Sequence, residues 1–374
     1  MKIIGIMSGT SLDGVDVALV DICGFSKDTK VKVVDFLSVD MPIDIKEKIK
    51  NACDVEKSNV LDICSLNFEL GQLFGESALK LIEKANLKSS DIDLIASHGQ
   101  TIYHIPFDTE THKKSTLQIG DPSVISKITG CKVVSNFREA DMAVGGTGAP
   151  LVPYVDYIMY SEKGKNKALN NIGGISNVTV LKASDREQDI IAFDTGPGNM
   201  IIDEVCLKLF GKTYDKNGEL ASKGKTDEKM LRDLMSQEYF DKKPPKATGR
   251  EDFGGKFVSD LLLKYENLDR YDILKTVTEF TAKSIIHAYK NYIDVELDEI
   301  IFCGGGAYNT TLINLIKKEL ENVKILDELG ISSFEKEAVQ FAVLGNEFIN
   351  NSKANLPSVT GASKKTLLGR ITYE

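Results

Sequence analysis

The chain has 374 residues, 42% of them hydrophobic and 27% charged, with a net charge of −9. That length favours two domains over one small core, and the acidic balance argues against nucleic acid as the main partner, since phosphate neutralisation needs clustered Lys and Arg. No run approaches the apolar length that spans a bilayer, and the N-terminus opens directly on KIIGIM without a leader-like basic segment, so a cytoplasmic protein with no membrane partner is expected.

The first half begins with three strand-like runs, Lys2–Met7, Val15–Ile22 and Val31–Val39. Between the first two lies the turn Gly9, Thr10, Ser11, Leu12, Asp13, Gly14, leading into Val15 and Asp16. Its glycines let backbone N–H groups approach phosphate oxygens, and its carboxylates make sense there if Mg²⁺ or its waters intervene. A plain hairpin turn would read the same way. A helix is predicted over Val60–Lys84, with the stripe Cys64, Phe68, Gly71, Gly75, Ala78, Ile82 at helical spacing; the two glycines suggest close approach of a neighbour. A buried-type strand, Asp93–Ser97, runs into His98, Gly99, Gln100 and Thr101. Leu117–Gly120 is a further strand. It ends at Asp121–Pro122, an N-cap followed by Pro at the first helical position. Lys132–Asn136 is another, leading to Arg138.

Gly and Pro accumulate near Gly145–Pro153, which marks a boundary between an N-terminal domain, 1–148, and a second, 149–351. The second half restarts with Lys167–Asn171, Val178–Leu181 and Asp189–Phe193, again three strands around a glycine-rich tip, here Gly173 and Gly174. Asp194 closes the third strand before the bend Gly196-Pro197-Gly198; it is placed either to accept a proton in catalysis or to cap the helix that begins near Asn199. A long helix, Asp272–Tyr292, precedes the strand Glu299–Cys303. That strand enters Gly304-Gly305-Gly306 and Asn309, a bare backbone on which a flat ring such as adenine can lie. GxGxxG and Walker A spacings are missing there. A helix over Thr310–Glu321, a second over Glu335–Asn350 containing Glu337, and a tail, 352–374, that returns to the first domain complete the chain.

Alternating short strands and helices give an α/β class. Two domains that both open β-β-β, with a cleft between them, describe the actin-like ATPase (ribonuclease H-like) architecture: a duplicated β-β-β-α core in which paired glycine-lined hairpin tips grip ATP. Six cysteines include no CxxC pair, which argues against disulfides and structural zinc; Cys64 and Cys303 sit among apolar neighbours, where a thiol behaves as a small hydrophobe. His98 and His104 lack further ligands at metal spacing, so no protein-held metal is expected. Hydrogen bonding to a sugar suits His98, Gln100 and Thr101 better, and Asp121 belongs to the same polar cluster. Arg138 could bind a carboxylate in two-pronged fashion or pair with Glu139 or Asp141 at the surface. Glu337 could face the cleft or simply begin a helix.

Together the segments IGIMSGTSLDGVDVALV, ASHGQTIYHIP, LQIGDPSVI, NFREADMAVGGTGAPLVP, LNNIGGISNVTVL, AFDTGPGNMIID, PPKATGREDFG, IIFCGGGAYN and EAVQFAVLG resemble the anhydro-N-acetylmuramic acid kinase family, in order and over nearly the whole chain. NFRE and KATGRE depart slightly from the family's DFR and KSTGRE. The resemblance implies an enzyme of cell-wall sugar recycling. ATP, 1,6-anhydro-N-acetylmuramate and water would give ADP and N-acetylmuramate 6-phosphate. It also implies a homodimer, with Mg²⁺ bound mainly through the phosphates. By motif match Gly9–Asp16 bind ATP and Asp194 is the base, while Arg138, Glu337 and the HGQT residues touch the sugar. The rival readings are another sugar or carboxylate kinase of the superfamily, and a non-catalytic ATP-binding sensor or chaperone-like module.

Overall fold

The computed structural model describes residues 1–9 and 12–374; Thr10 and Ser11 of the first glycine turn lie outside the described residues. The chain forms two compact units, Met1–Tyr160 with Phe334–Glu374, and Ser161–Ser333. These change over at 160/161 and 333/334, whereas the sequence suggested 148/149 and 351/352. The helices Val152–Tyr160 and Lys336–Ile349 therefore both lie with unit 1.

In unit 1 the first three strands are β1 (Lys2–Ser8), β2 (Gly14–Cys23) and β3 (Lys30–Asp40). They form an antiparallel meander, with Ser8 opposite Val15 and Gly14 opposite Asp40. β4 (Leu94–Ile105) lies parallel to β1, β5 (Ser115–Ile119) is antiparallel to β4, and β6 (Val133–Ser135) is parallel to β4. The C-terminal strand Arg370–Thr372 pairs antiparallel with β6, making seven strands among the described residues. In unit 2, β7 (Lys167–Ile172), β8 (Ile175–Leu181) and β9 (Ile191–Pro197) repeat the meander. There β10 (Glu299–Cys303) runs parallel to β7, and β11 (Val323–Ile325) parallel to β10. The spatial orders β3-β2-β1-β4-β6 and β9-β8-β7-β10-β11 are the same order. The duplicated ribonuclease H-like core expected from the sequence is the architecture of the chain.

Small residues set how closely helices lie on these sheets. A Cβ on Gly5 would stand 1.9 Å from Ala338 O, and one on Gly345 would stand 2.7 Å from Ala96 Cβ. These two glycines let the Lys336–Ile349 helix sit directly on β1 and β4. Likewise Cβ atoms added to Gly71 and Gly75 of the Val60–Lys84 helix would stand 2.9 Å from Asp121 O and 3.1 Å from the Ile128 side chain, in keeping with the close approach that these glycines suggested. The apolar stripe itself is rotated: Leu66, Leu70, Phe74, Ala78 and Leu81 are buried, while Phe68 and Cys64 are exposed. The core-facing row follows the leucines because the glycine row is taken by the helix Pro122–Thr129. Unit 2 is centred on the helix Arg270–Tyr292, whose Val277, Phe280 and Ile285 are fully buried.

Two local expectations change. The strand expected over Asp93–Ser97 does not end before HGQT: these residues are part of β4, which runs on to Ile105, where β5 pairs with it. The helix after Asn309 stops at Lys317 rather than Glu321.

Candidate active site

Asp194 lies within β9 rather than at its end, opposite Asn177 beside a register shift. It does not cap the helix Asn199–Phe210, whose N-cap residue is Gly198. Its backbone is fixed twice: Asp194 N–H donates to Lys246 O at 3.0 Å, and Tyr239 OH donates to Asp194 O at 2.6 Å. Its carboxylate Oδ2 accepts the backbone N–H of Thr248 at 2.9 Å. Burial pushes the carboxyl up to about 6; the Thr248 bond opposes this and the Glu251 charge adds to it. A carboxylate tuned there is ionised at neutral pH, yet basic enough to take a proton.

The glycines around it fall into two kinds. Packing requires Gly198, Gly304 and Gly306. Added Cβ atoms would stand 2.2 Å from Gly173 O, 2.4 Å from Asn171 Oδ1 and 2.2 Å from Ile172 Cγ2. Gly196, at φ +143°, is required by its backbone and by Ser284 and Phe240 beneath it. These contacts bring the segments 171–174, 196–199 and 304–306 together in unit 2. Gly173, Gly174 and Gly305 are different. Nothing in the fold obstructs a Cβ there, the nearest atoms being 3.5, 3.6 and 3.4 Å away, and Gly174 and Gly305 are exposed. Bare backbone that neither packing nor dihedral angle requires suits a ligand lying directly on it. The Gly173 and Gly174 carbonyls accept the N–H groups of residues 198–200, locking the hairpin tip to the start of the Asn199–Phe210 helix. Asn309 is an N-cap, accepting Leu312 N–H at 3.0 Å, so its side chain acts on the helix.

In the unit 1 hairpin, Leu12 and Val15 turn into the core. Asp13 is exposed, 3.9 Å from Lys46, and Gly14 is bare because Val39 O lies 2.6 Å from where its Cβ would be. Asp16 accepts the Ser38 hydroxyl at 2.6 Å; burial raises its carboxyl, the Ser38 bond opposing and Asp13 adding.

The remaining candidates of unit 1 divide by what already holds them. Gln100 is buried, accepting from Ser8 Oγ at 2.7 Å. Thr101 Oγ1 accepts from Gln118 at 3.2 Å. Asp121 caps the Pro122–Thr129 helix through Ser123 and Val124 N–H. His98 and Asp121 line a recess of about 370 Å³, with Asn67, Gln118 and Asn136. Arg138 makes no surface ion pair with Glu139 or Asp141. It donates through Nε and Nη2 to His98 Nε2 and through Nη1 to Gly148 O at 2.9 Å. Burial draws the guanidinium below its usual value, with Glu337 and Glu139 opposing. Glu337 keeps solvent access while protein atoms crowd around it. That crowding raises its carboxyl, Lys336 and Arg138 pulling back and Asp16 adding. Asp16, Arg138 and Glu337 thus share one electrostatic neighbourhood. Among the described residues no three His, Cys, Asp or Glu side chains form a metal cage, and no helix is long and apolar enough to cross a membrane.

Sequence reasoning overlooked Thr248, Tyr239 and Lys246. They lie some fifty residues from Asp194, and no periodicity links them to it; the segment PPKATGREDFG contains Lys246 and Thr248, and Tyr239 lies outside it.

Two copies of one ribonuclease H-like sheet, each with a glycine-lined hairpin, place the chain in the actin-like ATPase and sugar kinase fold class. The family model described as anhydro-N-acetylmuramic acid kinase matches residues 1–374. The chain is 52% identical over 376 residues to the anhydro-N-acetylmuramic acid kinase of Clostridioides difficile (strain 630), covering 100% of this chain and 98% of the relative. It is 51% identical over 379 residues to that of Bacillus cereus (strain Q1), covering 100% and 99%. Among solved structures it resembles component A of the Acidaminococcus fermentans (R)-2-hydroxyglutaryl-CoA dehydratase at 12% identity and TM-score 0.46, over 92% of this chain and 98% of the other. The chain belongs to the anhydro-N-acetylmuramic acid kinase family.

Proposed function

We propose that the chain converts 1,6-anhydro-N-acetylmuramate, ATP and water into N-acetylmuramate 6-phosphate and ADP, within cell-wall amino sugar recycling. The observation that carries this reading is Asp194, a carboxylate held by a backbone N–H and tuned to about 6. The anhydro sugar has no free 6-hydroxyl, because O6 is bonded to C1. Asp194 takes a proton from water as the water oxygen bonds to C1. The C1–O6 bond breaks, O6 bonds to the γ-phosphorus, and the bond from that phosphorus to the ADP oxygen breaks. Because the phosphoryl group captures O6, the second carboxylic acid of an inverting glycosidase is not needed.

The unobstructed backbone of Gly173, Gly174 and Gly305 supports nucleotide binding on unit 2. Gly9–Asp16 would bind phosphate from unit 1, Thr10 and Ser11 through their hydroxyls. Mg²⁺ carried with the phosphates would find Asp13 and Asp16 as carboxylate neighbours and would supply charge neutralisation. Two N–H groups of Arg138 remain for a ligand beyond its bonds to His98 and Gly148. They suit the lactyl carboxylate of muramate, with Glu337 as a sugar hydroxyl partner. His98 acts on the sugar through Arg138. Gln100, Thr101 and Asp121 act by shaping the wall. The family also carries the expectation of a cytoplasmic homodimer, which light scattering of the purified protein checks.

The deciding experiment incubates the protein with ATP, the anhydro sugar and ¹⁸O-water. A 6-phosphorylated product labelled at C1 is expected, with no turnover of open-ring N-acetylmuramate. Phosphorylation of the open-ring sugar would favour an ordinary sugar kinase. ATP binding with no turnover of either sugar would favour a sensor.

A further inference from the structure

Lys246 is a buried lysine that no step above uses. Its ammonium lies 4.5 Å from the ring centroid of Tyr239 and 4.5 Å from that of Tyr292, and it donates to Tyr239 O at 3.3 Å. Tyr292 OH in turn donates to Phe240 O. The cation therefore ties three stretches together: the turn at Tyr239–Phe240, the end of the Arg270–Tyr292 helix, and the segment 246–248. The first and last of these are the stretches that hold Asp194. Tyr239 OH holds its carbonyl, Lys246 O holds its N–H, and Thr248 N–H holds its carboxylate.

We propose that Lys246 is a positioning residue for the Asp194 carboxylate, its aromatic-flanked ammonium fixing the segment that aims Thr248 N–H at Oδ2. This inference rests on the base role given to Asp194. An ammonium between two ring faces is stabilised electrostatically on both sides, and more strongly when desolvated. Thr248 Oγ1 donates to Asp252 Oδ2 at 2.7 Å, anchoring the far end of the segment. Asp241 and Lys242 are the charged groups that act on Lys246, the first favouring its charge and the second opposing it. Glu251 is the charge that acts on Asp194. Lysine meets the geometry because a compact point charge reaches both rings at 4.5 Å, while its own backbone carbonyl accepts the Asp194 N–H of β9 at 3.0 Å.

The test compares Lys246→Met and Lys246→Arg with the wild type, using ATP and the anhydro sugar across pH 4.5–9. For Lys246→Met, kcat is expected to fall about 10- to 100-fold, with KM for both substrates within about threefold. The acid limb of kcat/KM should move up by about half a pH unit, because a loosened Thr248 N–H no longer favours the ionised carboxylate. Lys246→Arg should recover part of both effects. An unmoved acid limb with kcat near wild type, even with a lowered Tm, would reduce Lys246 to a packing role and overturn the inference. If Lys246→Met does not fold, Tyr292→Leu removes one ring while keeping the lysine and is read in the same way. Asp194→Asn is run alongside. If that variant keeps its turnover, the base assignment itself is wrong; if it is inactive while Lys246→Met is unaffected, only the positioning role fails.

Discussion

His98 Nε2 receives two N–H groups of one guanidinium, Arg138 Nε at 3.1 Å and Nη2 at 2.9 Å. Its Nδ1 lies 2.8 Å from Gly99 O, so the ring carries its proton on Nδ1 and presents a lone pair to the arginine. Burial, then the Arg138 charge, holds the imidazole down to about 3. His98 is a neutral acceptor throughout the working range, and its office is to orient Arg138.

Replacing His98 with Phe strands buried arginine donors, a loss of about 1–3 kcal/mol. Sugar KM should rise about tenfold or more, with ATP KM little changed. The pH sign follows from the shift. The unfolded ring takes a proton near 6.5, whereas the folded ring stays neutral to about 3. Below about 6.5 the unfolded state binds more protons, so this residue makes stability fall as pH falls. His98→Phe should lower Tm at pH 7 but lose less additional Tm between pH 6.5 and 4, as seen by calorimetry. A parallel acid loss in both proteins would contradict the neutral-acceptor assignment.

Asp194→Asn should bind ATP almost normally and lose turnover by at least about 10²-fold. Wild-type kcat/KM should drop about tenfold per pH unit below about 6, where the carboxylate takes up its proton. In the folded chain the carboxyl holds its proton to about 6, against an ordinary value of 3.8. Between those values the native state binds the proton more tightly, so stability contributed here rises as pH falls, and the ionised form is a fixed cost above 6. The Asn variant should therefore have a higher Tm than wild type at pH 7.5. A lower one would show that Thr248 stabilises the charge more than burial penalises it.

Gly305 and Gly306 should separate ligand binding from folding. Alanine at 306 puts a Cβ against Ile172 Cγ2 and should cost about 1–3 kcal/mol by overpacking. Alanine at 305 meets only Asn199 Nδ2 at 3.4 Å; Tm should hold while ATP affinity, read by calorimetric titration, falls. If 305 lowers Tm as much as 306 and leaves ATP affinity alone, the cradle assignment is wrong.

Lys336 and Asp156 form an ion pair at 3.2 Å with 6% and 2% of their side chains exposed, and Asp156 also accepts Gln340 Nε2 at 2.8 Å. Removing one partner of such a buried pair costs about 3–5 kcal/mol. Lys336→Met should unfold at clearly lower urea, and the double replacement Lys336→Met with Asp156→Leu should recover part of the loss. Equal loss in the single and double variants would mean the pair is not the coupled unit.

The sequence made the meanders legible because short apolar runs bounded by glycine turns fix both strand and hairpin. Val60–Lys84 and Glu299–Cys303 could be read to the residue. The strand was expected to stop at Ser97 because the polar run HGQT breaks its apolar pattern; its continuation to Ile105 is held by pairing with β5, a tertiary effect that local pattern does not carry. Asp194 was visible from its Gly-Pro-Gly surroundings, but Thr248 acts through its backbone N–H, and any residue except proline supplies one. Gln100 and Asp121 read as ligand contacts because polarity does not reveal that a side chain already has an internal partner.

Unit 1 is assembled from the beginning and the end of the chain, and its sheet is floored by a helix that starts at Lys336 and edged by a strand that ends at Thr372. A ribosome therefore delivers Ser161–Ser333 as an uninterrupted stretch able to fold while still tethered, whereas β1 and β4 must wait, uncovered, for the last forty residues to emerge. Stalled or prematurely terminated synthesis would release a chain with one finished half and one sticky half, the species that chaperones and proteases would be expected to meet first.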